Sequence, residues 1–152
     1  MAASAVDIGV GSQHKVQIAG RVLIAAALGV MAGIHLQLYS TYGYKALPTI
    51  GALFLTNGIA GSLLCLAILG VPSRYVGLAA LASAGLLAGT LAGFVVALHH
   101  PLFGFQDSIH APHAWTALID EAVGALIAIG LAAGSLRGRR LRTAVVSGWR
   151  RA

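Results

Sequence analysis

Four of the six histidines lie in one short segment, which holds the residues of this sequence best spaced to do chemistry. The segment runs from His99 and His100 to His110 and His113 and contains no Lys or Arg. His110 and His113 are three residues apart, a spacing that directs two imidazole rings toward one ion on a helical turn. Together with His99, His100 or Asp120 they allow a three- or four-ligand zinc or copper site, although no recognised metal motif is present.

A haem held between two helices is a second cofactor hypothesis. His35 and either His99 or His100 are predicted at similar depth, as the axial ligands of a b-type haem would be. The paired histidines on two helices that mark two-haem cytochromes are missing from the sequence. Histidines at a membrane interface also serve as amphipathic residues without binding a cofactor.

Two adjacent acids, Asp120 and Glu121, interrupt an otherwise apolar stretch. Ionisable groups are costly in lipid, so such residues are first interpreted as functional. Asp120 lies four residues after Thr116 and seven after His113, which places the three side chains on one helical face. Glu121 is turned about 100° away. We expect an acid at this depth to face the bundle interior, where His35 or His113 is available to pair with it; the alternatives are a ligand or proton site and a contact that only fixes packing.

Four apolar stretches, each about as long as a bilayer is thick, must position these residues. They cover residues 18–38, 46–69, 76–98 and 114–136. Each approaches the roughly 20 residues with which a helix crosses about 30 Å of hydrocarbon, and a helix satisfies its own backbone in lipid. Only 9% of the residues are charged and the mean hydropathy is +0.85, which excludes a charged, water-facing surface. The sequence therefore predicts an all-α integral membrane four-helix bundle.

The basic residues indicate how these helices are oriented. With the amino terminus inside, nine of the ten Lys and Arg residues fall on the cytoplasmic side and only Lys45 lies outside, a strong positive-inside bias. We predict a multi-pass protein of the cell membrane with both termini cytoplasmic. Residues 1–17 are a short amino-terminal segment, unstructured to about Gln13, and residues 137–152 form a basic tail.

In this orientation the costly polar groups gather in the outer half of the bundle. The candidates for ligand or proton binding are His35, Gln37, Asn57, Asp120 and Glu121. The arginines of the tail favour contact with anionic lipid. No nucleic-acid-binding module is present, so nucleic acid is not an expected partner.

Small residues recur at four-residue spacing along three of the predicted helices. The series are Ala25-Gly29-Gly33, Gly85-Gly89-Gly93 and Gly124-Ala128-Ala132. Such ridges let helix backbones approach closely. They favour packing within the bundle, and the alternative is a seam of a homodimer or a larger membrane complex.

Between about Gly20 and Phe94 the layout resembles that of the DoxX-like small four-helix membrane proteins. The shared features are Arg21 at the start of the first helix, the run Asn57-Gly58-Ile59-Ala60-Gly61 in the second, and Arg74 in the next short loop. The resemblance implies a membrane component of a redox or envelope system. Where that group often has an acid in its second helix this chain has Asn57, and the histidine segment has no counterpart there, so no functional residue is transferred.

Three classes of function follow from these patterns. The leading interpretation is a non-catalytic accessory or binding subunit with a polar, His-rich pocket at the outer face. The second is a membrane redox or metal-handling protein that uses zinc, copper or haem. The third is a small proton-coupled transporter, in which Asp120 or Glu121 changes protonation and two copies enclose the path.

Overall fold

The computed structural model describes residues 3–149, with side chains described for residues 14–137. This part of the chain forms four α-helices and no strand. The helices are α1 (Ala3–Thr41), α2 (Pro48–Gly70), α3 (Val76–His99) and α4 (Ala114–Trp149). Short 3-10 turns at Tyr44–Ala46 and Ser73–Tyr75 lead into α2 and α3. The predicted all-α four-helix architecture is confirmed.

Four helical segments are long and apolar enough to cross a membrane, one for each helix, the third including the short turn before α3. These segments are His14–Thr41, Pro48–Gly70, Ser73–His99 and Ala114–Arg137. They agree with the predicted stretches to within a few residues. α2 begins at a proline, which suits a first helical position because its missing N–H has no partner there in any case.

The first and last helices of the chain, α1 and α4, extend beyond their apolar segments. α1 begins at Ala3 and α4 continues to Trp149, so the prediction that the chain is unstructured up to Gln13 is wrong. Extending an existing helix adds a hydrogen bond per residue without a new nucleation cost. No proline interrupts either extension. The apolar pattern therefore predicts the membrane-length segments correctly, but it does not predict where α1 begins or where α4 ends.

The helices run up and down, so that one of the three connections lies at one end of the bundle and two lie at the other. We call the end with the α2–α3 connection the closed end, and the end with the α1–α2 and α3–α4 connections the cavity end. α1 packs along α2 and α4, and α3 packs along α4, whereas α2 and α3 contact each other less. This weaker pairing leaves a gap on one side of the bundle.

The closed end has a continuous apolar core. Its fully buried members come from all four helices: Ile24, Leu28, Ile68, Val76, Ala80, Leu87 and Ala128. Arg21 covers the last turn of α2 by donating from Nε to the Ile68 carbonyl oxygen and from Nη2 to that of Val71, each at 2.7 Å, and also to that of Leu69. A cation at a helix carboxyl end satisfies carbonyls that lack helical partners.

The small-residue ridges differ in what they contact. On α4 a Cβ at Gly124 would lie 2.7 Å from the Ala27 Cβ, and Ala128 next along the ridge is fully buried. That ridge packs within the bundle, as predicted. On α3 a Cβ at Gly85, Gly89 or Gly93 would meet nothing within 4 Å, so this ridge is left open.

Candidate functional site

A cavity of about 310 Å³ lies at the cavity end, between the four helices and the loop of residues 100–113. Most of its wall is apolar. The side chains with polar atoms that line it are His35, Tyr44, Asn57, Thr90, Asp107, His113 and Glu121. A small, mostly apolar pocket with a few convergent polar groups is the usual form of a ligand site.

The cavity opens sideways between α2 and α3. Leu53 of α2 and Gly85 and Gly89 of α3 line it and are also exposed at the surface of the chain. Of the four pairs of adjacent helices, α2 and α3 contact each other least. A ligand would therefore enter through the side of the bundle.

Glu121 is the deepest ionisable group in the wall. Its side chain is 2% exposed, and its Oε2 has no hydrogen-bond partner. The Thr90 side chain lies beside it, but the single Thr90 hydroxyl proton has backbone acceptors in Leu86 and Leu87, at 3.1 and 2.9 Å. A buried polar atom without a partner costs free energy. The fold therefore holds an acceptor in the cavity that nothing in the described chain satisfies.

The small-residue ridge of α4 explains why Glu121 points inward. Gly124 lies one helical turn further along, and its missing Cβ lets α4 approach Ala27 of α1 and Leu87 of α3 closely. Residues three apart share a helical face. The ridge that packs α4 against its neighbours therefore carries Glu121 into the interior as well.

His35 enters the cavity from α1 with one ring nitrogen already engaged. Its Nδ1 donates to the Met31 carbonyl oxygen at 2.9 Å, and the residue is buried. Because a carbonyl only accepts, this bond fixes the proton on Nδ1 and leaves Nε2 as the acceptor of a neutral ring. His35 thus adds a second acceptor to the site.

Aromatic rings form one continuous wall of the cavity. The ring centroids of His35 and Phe54 are 5.0 Å apart, those of Phe54 and Tyr44 are 4.7 Å apart, and those of Tyr44 and Phe105 are 5.5 Å apart. Such tilted and edge-on pairs stabilise one another beyond the area they bury. The wall joins α1, α2 and the two connections at this end.

The loop between α3 and α4 supplies the roof. Leu102 and Phe105 exchange both backbone hydrogen bonds, at 2.7 and 3.0 Å. Phe103 (φ 53°) and Gly104 (φ 79°) between them adopt left-handed backbone, as a type I′ turn requires. The turn leaves Phe103 exposed and brings Phe105 into the cavity wall.

Asp107 is a site residue that sequence reasoning missed. Its N–H donates to the Ala97 carbonyl oxygen at 2.9 Å, which ties the loop to the end of α3. Its Oδ1 accepts from the Ser108 N–H at 2.8 Å. Partial burial raises the pKa of Asp107, and burial together with the nearby Asp107 charge raises the pKa of Tyr44. The available signal was that Asp107 is the only acid in the connection between α3 and α4.

The predicted ligand or proton candidates separate into two groups. His35, Asn57 and Glu121 line the cavity, whereas Gln37 is exposed on α1 and Asp120 is half-buried outside the lining. Of the two adjacent acids, Glu121 is the one that faces the cavity, because the ridge of α4 turns it inward. The Asp120 Oδ2 also lacks a hydrogen-bond partner.

The four histidines of residues 99–113 are spread over the cavity end of the bundle. His99, His100 and His110 are exposed, and His113 lines the cavity, where its ring is 6.0 Å from that of Tyr42. Residues 109–113 form turns, and His113 itself has left-handed backbone at φ 64°. The helical turn that would aim His110 and His113 at one ion therefore does not form.

Among the described residues, no three or more His, Cys, Asp or Glu side chains are grouped as metal ligands. His110 and His113 border a shallow surface depression together with Trp115. A zinc, copper or haem site at His99, His100, His110 or His113 stays a prediction from the sequence, and no ligand cluster supports it.

Comparison with protein-family models, with curated proteins and with solved structures finds no match to this chain. The resemblance to the DoxX-like proteins accordingly stays a prediction. The fold and the site define an all-α bundle of four helices, each apolar enough to span a membrane, with a largely apolar cavity at one end that contains an unpaired buried acid.

Proposed function

We propose that this chain is a multi-pass membrane protein that binds a small, largely apolar molecule in the cavity and acts as a non-catalytic binding or accessory subunit. The observation that carries the proposal is Glu121, which lines the cavity with an unpartnered Oε2. Intramembrane acids are rare and are kept where they meet a ligand, a proton or a partner. A bound molecule with a hydrogen-bond donor would satisfy that atom.

The outer surface of the bundle supports membrane insertion. Large apolar side chains on several helices point away from the core, including Leu63 and Leu66 of α2 at 62% and 68% exposed, and Leu126 of α4 at 69%. An exposed apolar surface of this extent is unfavourable in water and favourable in lipid. The bundle has the form expected if lipid is its solvent.

The position of the opening favours a lipid-soluble ligand. The gap between α2 and α3 lies on the side of the bundle, among helices that we place in the bilayer. A molecule dissolved in the lipid reaches such a mouth without crossing water. The apolar wall and the few polar atoms inside match a molecule with an apolar body and one polar group.

The cavity end faces outward in this proposal, and both termini are cytoplasmic in the cell membrane. Support comes from the nine basic residues on the closed-end side against Lys45 alone on the other. The tail arginines beyond Arg137, whose side chains lie outside the described residues, would contact anionic lipid of the inner leaflet. Gly29 and Gly33 of α1 are exposed with nothing near them, which leaves a face for a homodimer or a larger membrane complex.

A proton-coupled transporter is the second function compatible with a buried Glu121. The packed core at the closed end argues against it for a single copy. Ile24, Ile68 and Val76 are fully buried there, so a continuous path would need that end to open. Binding from the side needs no such movement, and we therefore favour the binding protein.

The proposal is tested by filling the cavity mouth. The variant Gly89→Leu places a side chain at a lining position where a Cβ meets nothing. The matched control is Gly130→Leu, at an exposed glycine of α4 that is equally free of neighbours and outside the lining. Both proteins are reconstituted in phosphatidylcholine nanodiscs with para-fluoro-neopentylbenzene, a small neutral apolar probe, and followed by fluorine NMR.

We expect a protein-bound fluorine signal in the unsubstituted protein and in Gly130→Leu, and its loss in Gly89→Leu. Equal signals in all three proteins would contradict binding in this cavity, and the absence of a signal in the unsubstituted protein would contradict binding of a neutral ligand there. Reporter fusions at the carboxyl terminus test the orientation, and an external reporter would reverse it.

A further inference from the structure

We infer that the cavity selects a cation, namely a small lipophilic ammonium compound whose positive charge pairs with Glu121 while its apolar body lies against the aromatic wall. The inference rests on the proposed function and specifies the ligand class of the same site. It depends on the charges, the free acceptors and the rings in the wall.

The charged groups in the wall are all acids. Glu121 and Asp107 line the cavity, and no Lys or Arg is among the lining residues described. Lys45, next to Tyr44 at this end, is exposed and outside the lining. Arg21 is engaged with the end of α2 and Arg74 lies over the Tyr75 ring at 4.8 Å, both at the closed end. An anionic ligand would meet no counter-charge here, whereas a cation would meet an unpaired acid.

The hydrogen-bonding atoms that Glu121 and His35 present to the cavity are acceptors, and His113 Nε2, which also lacks a partner, donates or accepts according to its tautomer. An ionised Glu121 presents Oε2 as an acceptor, and the Nδ1 bond of His35 leaves Nε2 as an acceptor. The Thr90 hydroxyl proton is bound to backbone. A ligand that donates hydrogen bonds or carries positive charge therefore complements the site, and an acceptor-rich ligand does not.

The aromatic rings complete the match. Along the wall the Tyr44 ring lies between those of Phe54 and Phe105, and its centroid is 4.7 Å from that of Phe54 and 5.5 Å from that of Phe105. Ring faces attract ammonium groups, and the attraction is larger where water is excluded. Aromatic rings beside a buried acid are the combination that binds alkylammonium groups in preference to neutral molecules of the same shape.

The test compares two probes that differ in one atom. Para-fluorobenzyltrimethylammonium has a charged nitrogen where para-fluoro-neopentylbenzene has a carbon, so the two share size and shape. Binding of each to the full chain in phosphatidylcholine nanodiscs is titrated by fluorine NMR, with empty nanodiscs as background. The neutral lipid avoids attraction of the cation to the bilayer itself.

We expect the cation to bind the unsubstituted protein at least tenfold more tightly than the neutral probe, after correction for partition into lipid. Glu121→Gln is expected to weaken cation binding tenfold or more and to leave the neutral probe unchanged. The matched control Asp120→Asn removes the neighbouring acid, which does not line the cavity. It is expected to weaken cation binding much less than Glu121→Gln does and to leave the neutral probe unchanged.

Each contrary result has a separate meaning. Equal binding of the two probes to the unsubstituted protein overturns cation selection and leaves the binding function intact. A loss in Asp120→Asn as large as in Glu121→Gln overturns the pairing with Glu121. Failure of both probes to bind overturns the proposed function as well. The comparison of probes on the unsubstituted protein does not depend on how any variant folds.

Discussion

The closed end and the cavity end are built from the same four helices and differ in how closely those helices approach. At the closed end, alanines, glycines and branched side chains fill the interior, and Arg21 satisfies the end of α2. At the cavity end the interior holds about 310 Å³ of space and an unpaired acid. The first arrangement provides stability, and the second gives up packing contacts and leaves an open interior.

The connections account for part of this difference. At the closed end α2 and α3 are joined by a few residues that include the turn Ser73–Tyr75, which holds the two helices together. At the cavity end α3 and α4 are joined by the loop of residues 100–113, which roofs the interior without filling it. The open ridge Gly85-Gly89-Gly93 adds no side chains to close the gap.

The largest expected effect is loss of the Arg21 contacts at the closed end. Arg21→Ala leaves carbonyls of Ile68, Leu69 and Val71 without their donor, and we expect destabilisation on the order of 3 kcal/mol. The control, Arg74→Ala, removes a cation of the same end that only lies over Tyr75. Thermal unfolding in detergent measures both, and equal small shifts would show that Arg21 serves topology alone.

A packing test of the closed end comes next in size. Gly124→Ala adds a Cβ that would lie 2.7 Å from the Ala27 Cβ, and overpacking of this kind costs about 1–3 kcal/mol. Gly130→Ala on the same helix meets nothing within 4 Å and should be neutral or stabilise by up to about 1 kcal/mol. Unfolding free energies in detergent compare the two. Equal effects would contradict the close approach of α4.

Substitution of Glu121, the unpaired acid, is expected to raise the stability of the protein, whereas the substitutions at Arg21 and Gly124 are expected to lower it. Glu121→Met keeps a similar volume and removes a polar group that has no partner, so we expect stabilisation of about 1 kcal/mol together with lost cation binding. Ser83→Ala removes a buried hydroxyl that already donates to the Ala79 carbonyl oxygen at 2.8 Å and should not stabilise. Thermal unfolding decides, and a destabilised Glu121→Met would show that the acid holds the fold together.

The smallest effect concerns the pH dependence of the loop. Because burial raises the pKa of Asp107 above its ordinary 3.8, the unfolded chain ionises first as the pH rises, and stability falls until the folded carboxyl ionises as well. Asp107→Asn should match the unsubstituted protein below pH 3.8 and exceed it toward neutral pH.

Melting temperatures across that range check the sign of the Asp107 effect. Tyr44→Phe is the control, since a phenol with an ordinary pKa of 10.0 that is raised further does not titrate there. An Asp107→Asn advantage that is constant with pH would contradict the burial of this carboxyl.

Most of the fold was accessible from the sequence because the hydrophobic signal is local. Twenty or so apolar residues in a row predict a span wherever they occur, and all four spans were located. The ends of α1 and α4 were not, since polar residues that continue a helix by backbone hydrogen bonds leave no mark in hydropathy.

The candidate site was less accessible. The sequence identifies His35, Asn57 and Glu121 as polar residues that are costly in lipid, but it does not show which of the candidate residues lie together in one cavity. The choice between Asp120 and Glu121 depended on how α4 is rotated, and the ridge through Gly124 contained that information. Asp107 and the aromatic wall depend on where a loop folds back, which spacing along the chain does not give.

The sequence by itself determined that this chain has four membrane-length helices and that its polar groups collect toward one end. Hydropathy and charge are properties of each segment, and they can be evaluated without knowing which segments contact each other. Only the tertiary structure decided that α2 and α3 part, that Glu121 lies inside the resulting cavity, and that the histidines of the loop do not gather into a metal cluster. Those outcomes depend on contacts between distant segments, where one missing Cβ sets the rotation of a helix and a single turn sets the path of a loop.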